Sequence, residues 1–126
     1  MLFYRVEDAN GDGPYQTKQP GMEVWYMRCD FEHDMIKRHP MPHDDAGLCA
    51  WYNPLSWEVR KHHHYAFKDL DQFKSWFYTM ASREYLKRYG YQINVYECDD
   101  GQYGDTQAMF RKDEAKFLYS LELTEV

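Results

Sequence analysis

The chain is predicted to be α+β, a mostly antiparallel sheet with helices packed on it, and three observations carry that prediction. Segments at both ends alternate apolar and polar residues with the period of a strand. The middle of the chain switches to helical spacing in HHHYAFKDLDQFKSWFYTMASREYLKRYG. Turn residues separate these segments, and no run of regular βα repeats suggests a parallel sheet.

The helical stretch is the clearest part. Asp69 is an N-cap whose carboxylate can accept from the free N–H groups of a first turn, and Gln72 stands where a capping box needs it. Leu70, Phe73, Phe77 and Met80 follow at spacings of three and four, with Trp76 widening the stripe. Leu86 would point nearly opposite to Leu70 on one straight helix. A central helix is therefore expected over about 69–81, with Ser82 capping a second short helix over about 82–89 that ends at Gly90. Phe73 and Phe77 are expected in the core.

The strands follow from alternation. Leu2, Tyr4 and Val6 oppose Phe3, Arg5 and Glu7 in the first. His62 to Phe67 leads into the central helix. Tyr91, Ile93 and Val95 mark another, and Ala115, Phe117, Tyr119, Leu121 and Leu123 a last one, with a short helix near Asp113 as the competing reading. Thr106 to Phe110 is expected to return as hairpin partner of the strand after Gly90, across the polar reversal Asp99 to Asp105. Met22 to Phe31 reads as extended, and His39 to Asp45 as a proline-broken loop. Leu48 to Arg60 reads as irregular, with room for one helical turn.

The 126 residues suffice for one domain with its own core, without staples. Aromatic residues make up 18% of the chain, enough to fill that core and still leave some for a binding face. A net charge of −6 argues against direct binding of a nucleic-acid backbone. No apolar run reaches the roughly 20 residues that span a bilayer, and Met1 leads almost at once into a strand, so neither membrane nor leader is expected. Three widely spaced cysteines point to a reducing cytosol rather than a disulfide framework.

Asp8-x-Asn10-x-Asp12-Gly13 opens like a calcium loop, but Gln19 stands where the bidentate carboxylate belongs, so a solvated turn is expected. The six histidines include no recognised zinc spacing, and no metal is assigned.

Arg5 on the first strand, Tyr65 ahead of the central helix and Gln107 on a later strand form a distributed pattern that resembles the ADP-ribosyltransferase superfamily. The resemblance implies an NAD-dependent enzyme modifying a host macromolecule. Arg5 would hold the ribose or phosphate, Tyr65 would stack on the nicotinamide and Gln107 would orient the reacting group.

The opening YRVEDANGDGPY, with an echo in YAFKDLDQFKSWF, resembles short uncharacterised proteins of bacteriophages and prophages. That resemblance implies a small accessory protein, without cofactor, that works in the host cytosol by binding and modulating or inhibiting a host or defence-system protein. The acidic loop residues Asp44, Asp45, Asp99, Asp100 and Asp105 would steer it to a basic patch on the partner. Stoichiometric binding is the leading expectation, and the NAD-dependent transferase is the alternative.

Overall fold

A computed structural model describes residues 1–22 and 42–126. Most of the extended segment expected over Met22 to Phe31, and the first part of the proline-broken loop, lie outside the described residues. The fold is α+β, but its strands form two sheets rather than one. The first joins β1 (Leu2–Glu7), β3 (Gln92–Glu97) and β6 (Lys116–Leu121) in the order β1-β3-β6. The second joins β2 (His63–Ala66), β5 (Ala108–Arg111) and β4 (Gly101–Tyr103) in the order β2-β5-β4. All pairings are antiparallel. A reciprocal pair of 2.8 Å hydrogen bonds between the backbones of Tyr4 and Phe67 ties the sheets edge to edge.

Layering explains why β1 is apolar on both faces. Val6, Ile93 and Val95 pack with Phe73, Phe77 and Leu86 of the helices in one buried cluster. The opposite face of the same sheet supplies Phe3 and Tyr96 to a second cluster with Ala66, Ala108 and Phe110 of the other sheet. Phe3 and Phe110 stack with ring centroids 4.9 Å apart. A Cβ on Gly101 would sit 2.3 Å from the Phe3 ring, so a glycine is needed there for β4 to lie against β1.

The helical pair sits close to its expected place. The first helix proper runs Leu70–Trp76, capped by Asp69, which accepts from the Gln72 N–H at 2.8 Å. The Gln72 side chain reaches back to the Lys68 N–H at 2.9 Å and onward to the Gly104 carbonyl at 3.0 Å. Phe73 and Phe77 are buried, as the spacing required. The break comes earlier than expected. Phe77 leaves helical geometry, and Thr79 rather than Ser82 caps the next helix, Met80–Arg88. Ser82 is instead buried, its hydroxyl donating to the Thr79 carbonyl at 2.8 Å. Arg83 donates to the Phe77 carbonyl at 2.7 Å, which satisfies an acceptor that the break would otherwise leave open. The second helix ends in a Schellman motif, with Gly90 at φ 83° and the Tyr91 N–H reaching the Leu86 carbonyl at 3.2 Å.

Three expectations need correction. Residues 46–60 are more helical than their sequence suggests, with α1 at Ala46–Tyr52 and α2 at Trp57–Arg60; the helices Leu70–Trp76 and Met80–Arg88 are then α3 and α4. Asp45 caps α1 and Asn53-Pro54 ends it. The segment 106–110 does not pair with β3. The chain crosses to the second sheet at Cys98 to Asp100, β4 forms inside the expected reversal, and β5 pairs with β2 and β4. In β6 a bulge beside Val95 and Tyr96 breaks the strict alternation. Leu118 and Leu121 then pack on the helix-side core, while Phe117 and Tyr119 are exposed.

Replacing Phe73 by Ala removes a fully buried ring from the helix-side core, and the expected cost is roughly 3–5 kcal/mol. Urea unfolding of the variant should show a midpoint lowered accordingly, and Phe77→Ala should behave alike.

Candidate functional site

Two places on the molecule concentrate functional chemistry, and the first is built on a buried charge. Alternation along β1 turns Arg5 and Glu7 towards the second sheet, and both are almost completely buried, at 4% and 2% exposure. One Glu7 oxygen accepts from Arg5 Nε at 2.8 Å and from Lys112 Nζ at 2.7 Å. The other accepts from Asn94 Nδ2 at 2.7 Å and from the Tyr96 hydroxyl. Arg5 spends its remaining donors on the carbonyls of Tyr65, at 2.9 Å, and Gly11, at 3.2 Å.

Burial pushes the Glu7 carboxyl up, but the hydrogen bonds from Asn94, Lys112 and Tyr96 and the Arg5 charge outweigh it and hold the group below its ordinary value. Burial, the hydrogen bond to Glu7 and the Glu7 charge together push the Tyr96 hydroxyl well above its usual range. A carboxylate so held is an anchor rather than a general base, because its acceptor positions are already filled. Above it lies an open cleft of about 480 Å³, bordered by Gln92, Asn94, Lys112, Phe117 and Ser120 and by the turn after β1. That turn is organised by Asp8, which accepts from the N–H groups of Asn10 and Asp12 and from the Gln19 side chain. The part-match to a calcium loop is thus a carboxylate-centred turn.

The second place is an aromatic face. Trp57 is 76% exposed and Tyr65 40%. Trp57 and Arg60 stand three residues apart on α2. The Arg60 guanidinium lies 4.5 Å from the Tyr52 ring centre and donates to the Tyr52 and Asn53 carbonyls. Tyr52 in turn lies close enough to Tyr65 to contribute, after burial, to raising its hydroxyl.

The residues expected from sequence are distributed as follows. Arg5 and Tyr65 meet only through the Tyr65 carbonyl. Ala66, paired with Ala108, faces the Phe3 core, so alternation sends the Tyr65 ring to the other face of β2. Gln107 is 2% exposed in the turn between β4 and β5, with its own carbonyl accepting from Gly104 at 2.7 Å. Neither Tyr65 nor Gln107 borders the cleft above Glu7, and the three side chains do not converge.

Among the acids, Asp44, Asp99 and Asp105 are exposed and Asp100 is half-buried. Asp45 is turned inward at 2% exposure and accepts four hydrogen bonds, from Gly47, from Asp105 and twice from Thr106. It serves as a latch between α1 and the turn after β4, not as a surface charge.

Glu7, Asn94, Tyr96 and Lys112 are not expected as one group from the sequence. The available signal was the Arg5-x-Glu7 pair, opposite charges on one face of a strand. Among the described residues no group of three or more His, Cys, Asp or Glu could hold a metal ion, and no helix is long and apolar enough to cross a membrane.

Residues 1–124 match the family described as bacteriophage T4 Y00F protein. The chain is also similar to the "uncharacterized 19.7 kDa protein in motB-dexA intergenic region" of Enterobacteria phage T4. It is 32% identical to that protein over 116 residues, covering 75% of this chain and 69% of the relative. No solved structure matches.

The same network sets a pH response. His64, partly buried on β2, is pushed down from 6.5 to about 4, first by burial and then by the charges of Arg5 and Lys112, against the opposite pull of Glu7 and Asp113. Between pH 6.5 and 4 the unfolded chain therefore binds more protons at this residue than the folded one, and stability falls as pH falls through that window. Glu7, depressed when folded, adds its own loss only below its ordinary value of 4.5. Urea midpoints of His64→Gln should decline less than wild type between pH 6.5 and 4, while the decline below that range persists.

Proposed function

This chain belongs to the bacteriophage T4 Y00F family, and from that premise we propose that it is an accessory protein that binds a host or defence-system protein stoichiometrically and thereby modulates or inhibits it. The observation that supports this reading is the exposure of Trp57 and Tyr65 near the half-buried pair Arg60 and Tyr52. Burying a side chain of tryptophan size is worth roughly 1.5–3 kcal/mol or more, and Trp57 leaves most of that gain unclaimed in the free protein. Trp, Tyr and Arg are the residue types that dominate binding energy at protein interfaces. Arg60 is already fixed on Tyr52 and on the end of α1, so little side-chain freedom is lost when a partner covers it.

The exposed acids Asp44, Asp99 and Asp105, with Asp100 half-buried, add steering towards a basic partner surface. Steering acts on the association rate and is screened by salt, whereas the aromatic face acts on dissociation.

Trp57→Ala should keep the melting temperature of the wild type, because the residue is exposed. It should weaken partner binding by at least 2 kcal/mol, about thirtyfold. The check is a pulldown from host lysate with wild-type bait, identification of the captured protein and calorimetric titration of that protein with both baits. A one-to-one isotherm lost in Trp57→Ala supports the reading. Equal binding by the variant, or an effect on the partner at far below one equivalent, contradicts it.

A further inference from the structure

We infer that the cleft above Glu7 is a binding site for a neutral saccharide, a pyranose ring laid on Phe117. The charged groups that line it are already engaged: Glu7 is paired at 2.7 Å with Lys112 and, from behind the lining, at 2.8 Å with Arg5, so that Arg5 and Lys112 together balance Glu7 and Asp8, and Asp8 accepts from its own turn. A cleft with balanced charge offers little to an anion such as phosphate, and its binding capacity lies in neutral donors and acceptors.

Those groups come from separate elements of the lining. Asn10 on the turn after β1 and Gln92 on β3 are exposed amides, each able to donate and to accept. On β6 the Ser120 hydroxyl gives its proton to Asn94 Oδ1 at 2.6 Å, which leaves the Ser120 oxygen to accept. Lys112 Nζ is directed to Glu7 and, at 3.5 Å, to the Gly11 carbonyl, with a third N–H remaining.

Phe117 completes the set. It is 52% exposed because the bulge in β6 turns it outward, and it is held edge to face against Tyr96 with centroids 5.8 Å apart. A fixed, half-exposed ring in a cleft that also carries amides and a hydroxyl suits a ligand with one apolar C–H face and hydroxyls radiating around its rim. A pyranose has that shape, and each of its hydroxyls both donates and accepts. A nucleobase could also stack on the ring, but it presents hydrogen-bonding groups only along its edge, whereas the cleft offers them from four separate elements.

The test is a ¹H–¹⁵N correlation titration of the intact chain with methyl glucopyranoside, methyl galactopyranoside and N-acetylglucosamine, with adenosine, thymidine and inorganic phosphate as counter-probes. At least one sugar should shift Asn10, Gln92, Phe117 and Ser120 with a millimolar Kd, the ordinary affinity for a small ligand in an open cleft. Phe117→Ala should weaken that binding by about tenfold. Gln92→Ala, at an exposed strand position that leaves the fold untouched, should weaken it measurably as well. The inference is overturned by no sugar shifting these residues, by a nucleoside or phosphate shifting them more strongly, or by Gln92→Ala binding as wild type does.

Discussion

The structure depends on keeping one carboxylate ionised where water barely reaches it. Taking an ion such as Glu7 out of water costs several kcal/mol even after relaxation, and the folded chain offsets this with two cations and two neutral donors. These donors come from separate parts of the chain. Arg5 is on the same strand, Asn94 and Tyr96 are on β3, and Lys112 is on the turn after β5. The knot therefore closes only when β1 is seated between the two others. Through Arg5 it reaches further, to the Tyr65 carbonyl on β2 and the Gly11 carbonyl in the first turn. Loss of one member of such a group leaves a buried charge unpaired, which costs about 3–5 kcal/mol and exceeds the net worth of most single hydrogen bonds.

A second knot does the same for the other end of the molecule. Asp45 holds the first turn of α1 and the turn between β4 and β5 with four hydrogen bonds, and the two backbones approach closely enough that a Cβ on Gly47 would lie 2.8 Å from the Gly104 Cα. Gln72 adds α3 to this junction by donating to the Gly104 carbonyl. Burial pushes the Asp45 carboxyl up, but the hydrogen bonds from Thr106, Asp105 and Gly47 hold it below its ordinary value. Both knots use a buried carboxylate to join segments far apart in sequence. Each fixes a position that apolar packing alone, being non-directional, would leave loosely specified.

What the sequence disclosed and what it hid follow from the same distinction. The helices of residues 70–88 were legible because their signals are local: a cap at Asp69, spacing of three and four, and a glycine at the end. β1 and β3 were legible as strands for the same reason. The partners of each strand were not legible, because pairing is decided by contacts between distant residues. The assignment of 106–110 to β3 failed on this point. The short helices α1 and α2 were hidden because helices of seven and four residues have little stability of their own and persist here through Asp45 and tertiary packing. The turn of Phe117 to the opposite face from Tyr119 and Leu121 was hidden because a single bulge reverses the parity of a strand without leaving a mark in composition. Glu7 was hidden because its donors Asn94, Tyr96 and Lys112 lie 87, 89 and 105 residues away.

The carboxylates of the knots have their acceptor positions filled within the fold, whereas Trp57, Tyr65 and Phe117 are large apolar groups that the fold leaves in water. A fixed polar scaffold that presents exposed aromatic side chains is suited to binding, since the groups that contact a ligand are already in place before it arrives. The measurement that tests this account most directly is a carbon-detected NMR titration of the Glu7 side-chain carboxyl in the folded protein. The expected midpoint lies below the ordinary 4.5, with the Tyr96 hydroxyl and Lys112 resonances moving in the same transition. A midpoint above that value would mean that burial outweighs the donors around Glu7, and the knot would not be the constraint on which the fold depends.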